Sequence, residues 1–151
     1  MKVLLNALLL LLAAGVCNSA YAFCYREAAS KYGIPVLLLM AISKQESGFN
    51  PSAINVNKGD LGTDYSLMQI NSRHIPDLKK RGIIKSKDDL FKPCLNVQIG
   101  AWILAKHLAT CGYTWECIGS YNAGFKKTSR PRRLWYAGEI KKRMRELGAD
   151  L

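Results

Sequence analysis

Glu46 is the acidic side chain whose position in the sequence best suits proton-transfer chemistry. It lies near the end of the segment 34–48, IPVLLLMAISKQESG, whose first two turns are apolar on every side. Such a pattern is typical of a helix enclosed by protein, and Glu46 continues the stripe formed by Leu38, Leu39 and Ile42. Partial loss of water and the negative end of the helix dipole both raise the pKa of a carboxyl there. Such a group can act as a general acid near neutral pH, although position alone fits an ordinary exposed glutamate equally well.

The elements around this helix are predicted to be mostly helical. Pro35 suits the first turn of the central helix, and Gly48 suits a left-handed residue just past its end. A strand is expected at Tyr65 to Ile70, paired with Ile54 to Asn57 around a turn at 58–60. Further helices are expected at Tyr25 to Tyr32, Ser72 to Lys80, Cys94 to Ala109, Trp115 to Tyr121 and Pro131 to Leu147. The fold class is therefore a single, mostly α domain around a buried central helix, with at most a small β-ribbon.

The first 22 residues of the 151 have the pattern of a secretory signal peptide. Lys2 supplies the positive region, Ala7 to Val16 the apolar region, and Ala20-Tyr21-Ala22 a cleavage site. We expect cleavage after Ala22, which leaves residues 23–151 as one exported, periplasmic domain. Since no second hydrophobic span follows, no membrane span is expected after cleavage.

Four cysteines remain once Cys17 is removed with the signal: Cys24, Cys94, Cys111 and Cys117. An even number in an exported chain indicates disulfides, for which three pairings exist. Cys111 and Cys117 bracket a short turn and could close it locally, in which case Cys24 would pair with Cys94. A zinc site is the competing use, but no CxxC pair or spaced histidines accompany them, so no metal is expected.

The formal net charge of +11 indicates an anionic polymer or surface as a partner. Much of this charge lies in the C-terminal segment 126–145, for which a solvated helix face is the default interpretation and attraction to an anionic polymer the functional one. The export signal argues against nucleic acid as the partner.

Four short motifs occur in a fixed order: Glu46-Ser47, then SLMQIN at 66–71, then SYNAG at 120–124, and finally Tyr136. Together they resemble the lysozyme-like lytic transglycosylase family over about Cys24 to Ile140. Within that family the chain is most similar to the small exported members that accompany secretion systems, conjugation machines and pili. The resemblance implies a lysozyme-like α+β fold, peptidoglycan glycan strands as substrate, and a secretion or pilus apparatus as partner.

The implied reaction is cleavage of the bond between N-acetylmuramic acid and N-acetylglucosamine. Glu46 would protonate the leaving glycosidic oxygen and then act as base on the muramyl C6 hydroxyl, which attacks C1 and forms a 1,6-anhydro ring. The sugar supplies its own nucleophile, so the resemblance implies no cofactor.

Asp64 corresponds to a second carboxylate that small family members often carry. It could face Glu46 and stabilise an oxocarbenium-like transition state, or it could be an Asx-turn residue that follows Gly62 and Thr63. The resemblance implies substrate binding by Ser47, Met68, Gln69, Tyr121, Asn122 and Tyr136. Each has a structural alternative: a helix-end hydrogen bond for Ser47, core packing for one of Met68 and Gln69 and for the tyrosines, and helix termination for Asn122.

Two residues depart from the family pattern, Ser66 where Gly is usual and Ser120 where Ala is usual. His74 and His107 have no Ser or Cys motif to pair with, so we expect packed or surface histidines. Two alternatives to transglycosylation stay open. One is hydrolysis by Glu46 and Asp64, as in a lysozyme, and the other is a non-catalytic, basic wall-binding assembly protein.

Overall fold

The computed structural model describes residues 24–151, so the predicted signal peptide lies outside the described residues. Six α-helices and a small sheet make up the fold. The first helix, α1, covers 24–32. The other elements are α2 (Val36–Ser47), β1 (Ile54–Val56), β2 (Thr63–Tyr65), β3 (Ile70–Asn71), α3 (Ile75–Lys80), α4 (Pro93–Cys111), α5 (Trp115–Ala123) and α6 (Arg130–Glu146). The prediction of a mostly helical α+β domain with a small sheet is confirmed.

Helix α2 is the centre of the core, as its apolar sequence predicts. Leu38, Leu39 and Ile42 are almost completely buried. Gly48 ends the helix at φ 62°, the left-handed conformation expected of it. Pro35 differs from expectation, because its ψ of 135° places it one residue before the first turn.

The sheet is antiparallel with strand order β1-β2-β3, and it includes one short strand more than the expected ribbon. Asn55 pairs with Asp64, and Asp64 with Asn71. The predicted strand over Tyr65 to Ile70 is wrong: only its two ends belong to strands. Ser66 and Gln69 adopt φ values of 65° and 47°, which turn the chain between β2 and β3.

The last three helices pack in order, α4 on α5 and α5 on α6, and α6 packs on α2. At Gly119 of α5, an added Cβ would overlap the carbonyl oxygen of Arg133, so the close approach of α5 and α6 requires glycine there. At the other end of α6, Lys44 pairs with Glu146 at 2.9 Å and joins the ends of α2 and α6.

Within residues 24–151, two disulfides connect Cys24 with Cys94 and Cys111 with Cys117. This is one of the three pairings that the sequence allowed. The first bond joins α1 to the start of α4 across 70 residues, whereas the second closes a local loop between α4 and α5.

Within residues 24–151, no helix is both long enough and apolar enough to cross a membrane.

Candidate active site

A cavity of about 640 Å³ opens between the sheet and helices α4, α5 and α6, and the end of α2 reaches into it. Its lining includes both carboxyl groups singled out in the sequence, Glu46 from α2 and Asp64 from β2. Two arginines line it as well, Arg73 and Arg132. The remaining lining residues are Asn57, Leu61, Gln69, Ile70, Asn71, His74, Ile103, His107, Ser120, Tyr121, Asn122, Ala123, Gly124 and Ser129.

Glu46 is partly buried at the end of α2, where one of its oxygens is fixed and the other is not. Oε1 accepts a hydrogen bond of 2.5 Å from the Tyr136 hydroxyl. Oε2 has no hydrogen-bond partner in the part of the chain that the structure describes. The carboxyl is thus held in orientation with one oxygen available at the cavity.

The pKa of Glu46 is raised from its ordinary value of 4.5 to about 7. Burial is the main cause, because the charged form loses hydration, and the nearby Asp64 adds to the rise. The hydrogen bond from Tyr136 and the positive charge of Arg132 oppose it by favouring the carboxylate. A carboxyl with a pKa near 7 is present in both protonation states at neutral pH, as an acid that later serves as a base must be.

Asp64 is held by the side-chain amides of neighbouring strands and turns. Oδ1 accepts from Asn71 Nδ2 at 2.6 Å, and Oδ2 accepts from Asn57 Nδ2 at 2.8 Å. The side-chain nitrogen Nδ2 of Asn55, the residue opposite Asp64 in the β1–β2 pair, lies 3.5 Å from Asp64 Oδ2. These contacts come from side chains rather than from local backbone groups, so the Asx-turn alternative does not describe the Asp64 carboxylate.

The two tyrosines have different partners. Tyr136 is 1% exposed and is not part of the cavity lining. Its hydroxyl donates to Glu46 Oε1. Burial is the main cause that raises its pKa well above the ordinary value, so the phenol stays neutral and donates. Tyr121 lines the cavity and donates to the carbonyl oxygen of Met68 at 2.8 Å. Tyr136 therefore orients the acid, and Tyr121 braces the turn between β2 and β3.

Besides Tyr136, two more side chains predicted to bind substrate lie outside the cavity lining. Met68 is 0% exposed and packs closely on Gly100. A Cβ added to Gly100 would lie only 2.7 Å from the Cβ of Met68. Contrary to prediction, Met68 is a core residue, because the positive φ of Ser66 and Gln69 turns the segment out of the strand. Ser47 is outside the lining also, since its hydroxyl donates to the backbone oxygens of Leu67 at 2.9 Å and Ser43 at 3.2 Å.

Gln69 and Asn122, which were predicted to bind substrate, lie in the cavity lining. The Gln69 amide nitrogen donates to the carbonyl of Ser66 at 2.9 Å, which closes the turn. The Asn122 side-chain oxygen accepts from Arg132 Nε at 2.9 Å.

The sequence model of the family described as "Transglycosylase SLT domain" matches residues 23–144. The chain belongs to this family. Among its relatives, a "Peptidoglycan-binding-like protein" of Escherichia coli O157:H7 is 47% identical over 122 residues, 78% of this chain and 73% of that protein. "Invasion protein IagB" of Salmonella typhimurium (strain SL1344) is 43% identical over 130 residues, 86% of this chain and 80% of that protein.

A solved structure supports the fold of this SLT domain. The X-ray structure of an inactive mutant of the lytic transglycosylase Slt from Pseudomonas aeruginosa matches with a TM-score of 0.64 at 20% identity. The match covers 84% of this chain and 24% of that one. At this identity the likeness shows a shared fold.

The structure of the SLT domain also shows lining residues that sequence reasoning placed elsewhere. His74 and His107, expected to be packed or on the surface, both line the cavity. His107 lies one turn after Ile103 on the same face of α4, and its Nδ1 is 2.8 Å from the Ser120 hydroxyl. Burial is the main cause that lowers the pKa of both imidazoles, which favours the neutral form.

No group of three or more His, Cys, Asp or Glu side chains within residues 24–151 is arranged to hold a metal ion.

Proposed function

We propose that this protein is a lytic transglycosylase that cleaves the β-1,4 bond between N-acetylmuramic acid and N-acetylglucosamine in peptidoglycan. The observation that carries the proposal is the Glu46 carboxyl, which is partly buried, held by Tyr136 and placed at a cavity that Asp64 also lines. Membership of the SLT domain family supports the reaction class.

The proposed reaction has two steps that use one carboxyl group. Protonated Glu46 donates its proton to the glycosidic oxygen as the bond from that oxygen to C1 of the muramyl residue breaks. The Glu46 carboxylate then accepts the proton of the C6 hydroxyl of the same sugar, while the C6 oxygen bonds to C1 and closes the 1,6-anhydro ring. A pKa of about 7 suits both steps, because neither protonation state is strongly disfavoured at neutral pH.

Asp64 is proposed to stabilise the positive charge that develops on the sugar between these steps. Its two amide contacts fix the carboxylate, so it need not reorient as charge develops. The same arrangement favours a second candidate, hydrolysis, in which water rather than the C6 hydroxyl attacks C1 and Asp64 acts as in a lysozyme.

Mass analysis of the products separates these reactions. Purified peptidoglycan is digested, and transglycosylation is expected to release fragments with anhydro-muramyl ends, lighter by one water than hydrolytic fragments with reducing ends. Reducing ends alone would replace the proposal with the hydrolytic alternative.

Two variants test the role of Glu46. Glu46→Gln keeps the shape but removes the transferable proton, so product formation is expected to be lost. Glu27→Gln is the matched control, because Glu27 is an exposed acid on α1. If Glu46→Gln still digested peptidoglycan like the control, Glu46 would not be the acid. Absence of products with the unaltered protein would favour the non-catalytic wall-binding alternative.

We further propose that the protein is exported to the periplasm after cleavage at Ala22 and opens the wall locally for a secretion or pilus apparatus. The signal-like sequence supports export, and a relative named as an invasion protein supports the association with such an apparatus. Intact mass of the protein recovered from the periplasm is expected to correspond to a chain that begins at Phe23. A mass that includes residues 1–22 would contradict the cleavage.

A further inference from the structure

Arg132 is a cationic side chain in the wall of the cavity, near the start of α6. Its Nε donates to the Asn122 side-chain oxygen at 2.9 Å. Its guanidinium carbon lies 4.5 Å from the centre of the Trp135 ring, in a cation–π contact. These two contacts fix the plane of the guanidinium group and leave its terminal nitrogens without a protein hydrogen-bond partner in the described part of the chain.

Three of the other arginines of α6 are paired with acids, but Arg132 is not. Arg130 and Arg133 both contact Glu116, at 3.2 Å and 2.9 Å. Arg143 pairs with Glu146 at 3.1 Å. Over residues 24–151, no carboxylate lies within ion-pair distance of Arg132, so its charge is uncompensated by direct contact although Asn122 and Trp135 orient the group.

The other arginine of the cavity lining, Arg73, has one terminal nitrogen hydrogen-bonded to the backbone. One terminal nitrogen of Arg73 donates to the Asp60 carbonyl at 2.5 Å, and its backbone N–H donates to Asn71. Both terminal nitrogens of Arg132 are without a protein partner among residues 24–151, so together they offer a fork of N–H groups to a ligand. Such a fork matches the two oxygens of a carboxylate.

We infer that Arg132 binds a carboxylate carried by the glycan strand and so selects muramyl-containing strands over neutral ones. This inference rests on the proposed function, in which the substrate contains N-acetylmuramic acid. The carboxylate that Arg132 binds has two possible sources on such a strand. The lactyl group of the muramyl residue presents one when no peptide is attached, and an attached stem peptide presents its own.

Binding measured in the Glu46→Gln background tests the inference without turnover. Isothermal titration calorimetry would use three tetrasaccharide probes: a neutral chitin fragment, a muramyl-containing fragment with free lactyl carboxylates, and the same fragment with stem peptides attached. The added variant is Arg132→Gln. Its matched control is Arg130→Gln, which removes the same charge from an exposed side chain of α6 that is not part of the cavity lining.

Arg132→Gln is expected to weaken binding of a carboxylate-bearing probe about tenfold at low salt, and less as ionic strength rises, because the side chain is exposed to solvent. Binding of the chitin fragment is expected to stay the same, and Arg130→Gln is expected to match the parent. A loss confined to the lactyl probe identifies that carboxylate as the ligand, and a loss confined to the peptide probe identifies the stem.

An equal loss for all three probes would overturn the inference, because Arg132 would then act only through the shape or general charge of the cavity. No loss for any probe would overturn it too. Digestion of peptidoglycan by the unaltered protein tests the proposed function separately, so failure of the one is distinguishable from failure of the other.

Discussion

Replacement of Tyr136 by Phe should raise the pKa of Glu46. The phenol hydroxyl donates to Glu46 Oε1 at 2.5 Å, and the ring is buried, so Phe keeps the packing and removes only the donor. A hydrogen bond to a charged acceptor contributes roughly 1.5–3 kcal/mol, and one to a neutral group roughly 0.5–1.5 kcal/mol. Its loss therefore costs the carboxylate about 1–1.5 kcal/mol more than the protonated acid, which corresponds to a rise of about one pKa unit.

The pKa can be measured directly from the carboxyl ¹³C resonance of Glu46, assigned by its absence in Glu46→Gln. The starting value is expected near the pKa of about 7 given by the structure. If Glu46 is the general acid, the alkaline limb of the pH profile of kcat/KM should shift to higher pH by the same amount as the pKa, because the acid then keeps its proton to higher pH.

Tyr121→Phe is the matched control, since Tyr121 is a second, partly buried phenol near Glu46 that donates to the Met68 carbonyl instead. Both variants lose one hydroxyl and some stability, whereas only Tyr136→Phe removes a hydrogen bond from the carboxyl. An unchanged or lowered Glu46 pKa in Tyr136→Phe, or an equal rise in Tyr121→Phe, would refute the reasoning.

Three further predictions concern stability. Because the pKa of Glu46 is raised from 4.5 to about 7, the folded state binds more protons than the unfolded state between these values, and stability contributed by the neutral acid is lost as pH rises. In urea unfolding, the free energy of unfolding of Glu46→Gln should therefore equal that of the parent near pH 4 and exceed it by about 3 kcal/mol above pH 8. A difference independent of pH would contradict this. Ser66→Gly should stabilise by about 1–2 kcal/mol, because Ser66 has a φ of 65° and a buried hydroxyl without a partner among the described residues; a lower melting temperature would count against it. Replacing Cys24 and Cys94 together by Ser should lower the free energy of unfolding by about 4 kcal/mol, since the disulfide between them closes a 70-residue loop. An unchanged denaturant midpoint in chemical unfolding would rule this out.

The sequence predicted the parts of the site that depend on local signals. The burial of α2 follows from its apolar run, and Gly48 adopts the left-handed conformation that its position indicated. Glu46 lies on the same stripe as Leu39 and Ile42, so its partial burial could be inferred from helical spacing alone. Burial proved to be the main cause of its raised pKa, as that spacing indicated.

Contacts between distant residues needed more than spacing. Tyr136 and Glu46 are 90 residues apart, and their spacing along the chain gives no sign that they meet. The turn after β2 was missed because Ser66 and Gln69 hold left-handed backbone conformations that sequence reasoning normally assigns to glycine. That turn sends Met68 into the core, which reverses its predicted role.

Arg132 was indistinguishable from its neighbours in a run of basic residues. Such a run most often forms a solvated face, and Arg130 does lie on one, against Glu116. Only the three-dimensional positions of Asn122 and Trp135 separate Arg132 from its neighbours.

Both disulfides lie before residue 118, so neither secures α6 to the rest of the protein. Helix α6 is joined to α5 through an exposed segment at 125–128 that contains Lys126 and Lys127. A trypsin-like protease that cuts there would separate Tyr136 covalently from the acid it orients while both crosslinks stay intact. Retention of the phenol would then depend on noncovalent packing alone, which makes this short basic connection a natural point for irreversible inactivation by a single nick.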